Sequence, residues 1–188
     1  MKKTISAVLV CALLIAALPG LFSCEGKGPT DDSYTAKEIA DAIMAAYDPE
    51  EFPDTGFEHI YIGADEDSEN YVDAKYAGLI IDRAYAPLEE YEYIYDLAFY
   101  TPVGRRMFEV DVLKVKPGDE KSIAVLKGVL ERRLRNKSGE VITYEAQDTP
   151  LFENAKIITL GSYVILLATT DNDKAEKVIN DMIKIKEE

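Results

Sequence analysis

The chain has 188 residues and lacks tryptophan; it holds one histidine, two cysteines and fewer basic than acidic residues, 21 Lys and Arg against 35 Asp and Glu. Each shortage excludes something. Serine or cysteine catalysis needs a base within reach of the nucleophile. His59 stands between Glu58 and Ile60 with no recognisable partner, so it reads as a structural or surface histidine. A zinc site would have to be completed by carboxylates alone. Nucleic-acid binding needs a basic stripe, and the densest basic cluster, Arg132-Arg133-Arg135 beside Glu131, reads as a solvated helix face. Without tryptophan the chain also lacks a side chain that sugar clefts often use for stacking.

A spanning helix is excluded in the same way. The apolar run from Ile5 to Leu18 covers 14 residues, where roughly 20 are needed to cross a bilayer. Met1-Lys2-Lys3 precedes it, Pro19-Gly20 breaks it, and Leu21-Phe22-Ser23-Cys24 follows. A basic start, an apolar middle and a small-residue site before a thiol are the parts of a secretion signal ending in a lipid-modified cysteine. Phe22 is bulkier than such sites usually carry two places before the cysteine. Residues 1–23 are therefore expected to be removed, Cys11 with them, leaving Cys24 to carry a diacylglyceride and the mature chain with no free thiol. About two or three acyl chains suffice for stable anchoring, which implies a cell-membrane protein, lipid-anchored through acylated (palmitate-type) Cys24 and facing the extracytoplasmic side. Loss of Lys2 and Lys3 takes the formal charge from −14 to about −16, a balance that repels nucleic acid and anionic lipid and favours solubility outside the cell.

Residues 24–33, polar and Gly-bearing, read as a flexible tether, and 34–188 as one domain large enough for its own core. Thr35-Ala-Lys-Glu38 has capping-box spacing before a helix whose Ile39, Ile43, Ala46 and Tyr47 share a face, stopped by Asp48-Pro49. Ile60-Tyr61-Ile62 suggests a short extended piece and 69–81 a second helix. Two strand-strand-helix units follow. The first is Tyr91 to Tyr100, a turn at 101–104, Met107 to Val115, then a helix capped by Asp119 with Ile123, Leu126, Val129, Leu130 and Leu134 in a stripe. The second is Ala155 to Leu160, a Gly161-Ser162 turn, Tyr163 to Thr169, then a helix capped by Asp171 with Val178, Ile179, Met182 and Ile183 inward. The expectation is an α+β two-layer sandwich: an antiparallel sheet of about four strands with helices on one face.

Putting Phe99 opposite Phe108 collects the apolar residues of the first hairpin on one face. On the other face that register sets Ala98 against Glu109 and Asp96 against Asp111. Opposed like charges are unfavourable and invite a cation or basic group, which makes Asp96, Glu109 and Asp111 the candidate partner or cation contact. Tyr91, Tyr93 and Tyr95 share the phase of Leu97 and Phe99 and read as core or core-edge residues. The second hairpin is apolar on both faces, as suits central strands or a sheet whose second face is partly covered.

FEVDVLKVKPGDEK at 108 to 121 and GSYVILLATTDND at 161 to 173 carry a resemblance spanning roughly Glu38 to Ile183. In these segments the chain resembles domain-of-unknown-function family 4358, short lipoproteins of Gram-positive anaerobes. The resemblance implies an extracytoplasmic lipoprotein and no activity.

No cofactor motif is present. Asp65-Glu66-Asp67-Ser68-Glu69 offers oxygens at alternate positions, but Asn70 and Tyr76 stand where a calcium loop needs Gly and Glu. Asp171-Asn172-Asp173 reads as a helix cap. A glycosidase needs two spaced carboxylates, one with a raised pKa; Asp96 and Asp111 would be close enough in this register, yet on an open sheet face they lack an apolar pocket. The expected function is a non-enzymatic binding or scaffolding domain with an unknown protein or envelope partner. The alternatives are an enzyme or accessory acting on envelope polymers, or an ion or small-molecule receptor.

Overall fold

A computed structural model describes residues 30–48, 57–63, 78, 81, 89–102, 108–116 and 118–184. The expected signal, the acidic 65–69 loop, the 103–104 part of the first hairpin turn and most of the 69–81 helix lie outside the described residues. Ordered along the chain are α1 (Ala36–Ala45), β1 (Phe57–Gly63), β2 (Asp96–Pro102), β3 (Glu109–Lys114), α2 (Ile123–Tyr144), a short α3 (Thr149–Glu153), β4 (Lys156–Leu160), β5 (Tyr163–Ala168) and α4 (Asn172–Ile183). The fold is α+β. Its two strand-strand-helix units build one antiparallel sheet, extended by β1, the extended piece around Ile60, into the order β1-β2-β3-β5-β4.

Helices cover both faces of this sheet rather than one. Alternation along β2, β3 and β5 sends Ala98, Val110, Val112, Tyr163, Ile165 and Leu167 to one face, where α1 and α4 pack with Ile39, Ile43, Ala175, Ile179 and Ile183. It sends Leu97, Phe99, Leu113, Val164 and Leu166 to the other, against Leu126, Val129 and Leu130 of α2. The central strands are covered on both faces: the six residues of β5 are all buried, as are the six of β3, Glu109, Asp111 and Lys114 among them.

Local chemistry sets the ends of the elements. Thr35 Oγ1 accepts from Glu38 N at 3.1 Å while Glu38 Oε2 accepts from Thr35 N at 2.8 Å, the reciprocal capping box of α1. Asp171 Oδ1 accepts from Lys174 N at 3.0 Å and opens α4. Asp119 behaves differently from expectation: it accepts from the Ser122 hydroxyl at 2.7 Å across a 3₁₀ turn, and α2 begins after Ser122. Tyr91 is core, but it lies in a 3₁₀ segment, Glu89–Tyr93, and Tyr93 and Tyr95 are exposed.

Thr30–Ser33, expected as the end of a flexible tether, is fastened to the fold. Thr30 bridges to Lys184, Asp31 N donates to Ile183 O at 2.7 Å, and Asp32 Oδ1 accepts from Ser162 N at 3.0 Å. Gly161, at φ 56°, makes this approach possible: a Cβ there would lie 2.4 Å from Asp32 Oδ1 and 2.5 Å from Thr30 Oγ1. Only a residue without a side chain fits both that backbone and that contact.

Candidate functional site

The three candidate acids do not share a face. Phe99 pairs with Asp111 and Asp96 with Lys114, so the first hairpin is shifted by three residues from the expected register. An odd shift exchanges faces. Asp96 points to the α1 side; Glu109 and Asp111 point under α2, and all three are buried.

Asp96 is a structural acceptor. Its Oδ2 takes the Ala36 N–H at the start of α1 at 2.7 Å and its Oδ1 takes its neighbour Leu97 N at 2.8 Å. Burial raises its pKa against the pull of these donors and of Lys114. Lys114 Nζ donates to the carbonyls of Asp32 and Tyr34, both at 2.7 Å, and lies 5.2 Å from the Tyr163 ring. Burial lowers its pKa, opposed by Asp96 and Asp32. This pair therefore clamps the incoming N-terminal segment to the sheet.

Glu109 and Asp111 meet Arg133, which the sequence placed on a solvated face and the fold buries to 3% exposure. Its Nε donates to Asp111 Oδ2 at 2.7 Å, Nη2 to Glu109 Oε2 at 3.0 Å and Nη1 to Ile81 O at 3.1 Å. The guanidinium carbon lies 4.5 Å from the Phe99 ring centre, and Lys137 Nζ reaches Glu109 Oε1 at 3.2 Å. Burial pushes the Glu109 pKa up, but Arg133 and Lys137 outweigh it and leave it lowered. For Asp111 burial wins over Arg133, Glu109 adds repulsion, and the pKa stands well above normal. Among the described residues no donor meets Asp111 Oδ1. Two carboxylates facing one guanidinium in a dry layer hold sheet and helix in register, and their burial leaves no route for a surface partner.

A groove of about 450 Å³ lies elsewhere, at the end of the sheet where β4 begins and β5 ends. Pro150, Leu151 and Asn154 form one wall; Lys156 and the turn Thr169 to Asp173 form the other. The turn is rigid. Asn172 Oδ1 accepts from Thr169 N at 3.0 Å, its Nδ2 donates to Asn154 O at 2.8 Å, and Tyr47 OH donates to Asp171 O at 2.6 Å. Lys156 Nζ lies 2.5 Å from Asp173 Oδ1 and 2.7 Å from Glu176 Oε2. Apolar Pro150 and Leu151 facing the Thr170 hydroxyl and the charges of Lys156 and Asp173 suit a small ligand that carries a polar group. The sequence marked only Asp171-Asn172-Asp173 here, as a cap.

His59 falls in β1, its backbone paired with Tyr100. Among the described residues no cluster of three or more His, Cys, Asp or Glu side chains could hold a metal ion, and no helix is long and apolar enough to cross a membrane. Comparison with protein-family models, with curated proteins and with solved structures finds no match to this chain.

Proposed function

We propose that the chain is an extracytoplasmic lipoprotein, tethered to the membrane through acylated Cys24, whose α+β domain is a non-enzymatic module binding a polar partner of the envelope in the groove around Thr169 to Asp173. The observation that carries the anchoring is the run from Met1-Lys2-Lys3 through the apolar Ile5 to Leu18 to Cys24, followed within six residues by chain fastened to the fold at Thr30. The resemblance of 108 to 121 and 161 to 173 to family 4358 lipoproteins agrees with it. Binding by the groove is supported by its mixed lining and its hydrogen-bonded turn, while Asp96, Glu109 and Asp111 are buried inside the fold.

The test of the binding reading is a thermal-shift series on residues 24–188 carrying Cys24→Ser, against muropeptides, wall-polymer fragments and divalent cations. A rise of several degrees with one ligand class, lost in Thr170→Val/Asp173→Ala, supports the groove. A rise that survives those changes removes it, as does no rise with any of these probes.

A further inference from the structure

The domain has two chemically different ends. At one lie the Gly161-Ser162 turn, the Asp96–Lys114 pair that closes β2 and β3, the C-terminus of α4 and the fastened segment Thr30–Ser33. Tyr95 belongs to this end, because its N–H donates to Lys114 O at 2.8 Å. Tyr95 is 42% exposed there, and Tyr93, two residues earlier in the chain, is 46% exposed. At the other end lie the groove, the buried Glu109 and the C-terminal part of α2, where Val141 packs on Ala168 and Tyr144 is 72% exposed.

We infer that the first end is the surface facing the lipid, with Tyr93 and Tyr95 seated in the headgroup layer, and that the groove is held at the far end, away from the membrane. This rests on Cys24 being acylated. From Cys24 to Thr30 there are six chain steps, a reach of about 20 Å when fully extended. The 22 residues of α2 alone run from the first end to the second, about 33 Å. The tether is too short to pass along the domain and let the groove end rest on lipid.

Tyrosine supplies an apolar ring and a polar tip, the combination that settles at membrane interfaces. Among the described residues the charges of that end are mixed: Lys116, Lys121 and Lys184 stand with Asp31 and Asp119. Among the described residues that end shows no basic patch to draw it to anionic lipid, and zwitterionic headgroups are the fitting surface.

Cys24 aside, the mature chain has no cysteine, so a single introduced thiol can be labelled cleanly in the lipidated protein. The full chain, matured in a lipidating host and reconstituted in phosphatidylcholine vesicles with an energy-acceptor headgroup, would carry a donor at Tyr95→Cys or Tyr144→Cys. Several-fold stronger transfer from position 95 is expected; equal or reversed transfer overturns the orientation. With the donor at Lys116→Cys, Tyr93→Ser/Tyr95→Ser is expected to lower transfer at least twofold, and unchanged transfer overturns the tyrosine seat. Intact mass of the same preparation separates the premise from the inference. Absence of a diacylglyceride on Cys24 ends both, whereas a lipidated chain with equal transfer ends the orientation alone.

Discussion

Arg133→Met tests the buried layer between α2 and the sheet. The change keeps most of the side-chain volume over Phe99 but removes three donors, those at 2.7 Å to Asp111, 3.0 Å to Glu109 and 3.1 Å to Ile81 O. Each charge-assisted bond contributes roughly 1.5–3 kcal/mol in isolation. They share one guanidinium and do not add, and breaking one side of a buried pair costs about 3–5 kcal/mol because charge is left behind without compensation. Asp111 can escape part of that cost by holding a proton, and Lys137 still faces Glu109 at 3.2 Å, so the lower half of the range, about 3 kcal/mol, is expected at pH 7. This is a large share of the 5–15 kcal/mol typical of a domain. With no tryptophan to follow, urea unfolding is read by helical circular dichroism. Replacing all three charges together, as Arg133→Met/Glu109→Leu/Asp111→Leu, should recover most of the loss, since an apolar layer has no stranded charge. A loss below about 1 kcal/mol in the single variant would refute the reasoning, as would a triple variant less stable than the single one.

Three other outcomes follow from the same geometry. Because the Asp111 pKa is raised in the folded state, its contribution to stability declines as pH rises above the unfolded value of about 3.9; Glu109, with a lowered pKa, loses its contribution only on the acid side. Between pH 5 and 7.5 Asp111→Asn should therefore flatten the fall in urea midpoint relative to the parent, and identical pH profiles would contradict a raised Asp111 pKa. Gly161→Ala must place a Cβ against Asp32 and Thr30 at positive φ, so amide exchange at Asp31 and Ser162 should accelerate at least tenfold; unchanged exchange would show that the segment is not fastened there. Thr35→Ala removes the α1 cap and should cost about 1 kcal/mol in urea unfolding.

Much of the fold was legible because its signals are local. The Thr35–Glu38 box, the Asp171 cap and the Gly161-Ser162 turn each satisfy backbone groups within a few residues, and all three form where the chain predicts them. Register in the first hairpin was not legible, for a physical reason. Matching apolar residues fixes pairing only when one face is buried and the other is wet. Here both faces are covered, and a pairing that sets Phe99 beside Asp111 is tolerated because Arg133 arrives from α2 to meet the buried carboxylate. The second hairpin, apolar on both faces, already carried the hint of a second helical layer. Arg133 also left a signal. It falls three and seven residues after Leu130 and Leu126, on the stripe that packs against the sheet, and an arginine in phase with a core stripe asks for a buried acid opposite. The groove had no such mark, because it is assembled from the α3 segment and the turn before α4, which only the tertiary structure brings together.

Acylation of Cys24 is what would hold this domain at the membrane. Mass spectrometry of the N-terminal peptide, taken from protein extracted from the membrane fraction of the producing cell, reads it in one step. A peptide that begins at Cys24 and carries a diacylglyceride is the result predicted here, with Cys24→Ser moving the chain out of that fraction. A peptide still beginning at Met1, or one beginning at Cys24 with a free thiol, would contradict the anchored reading.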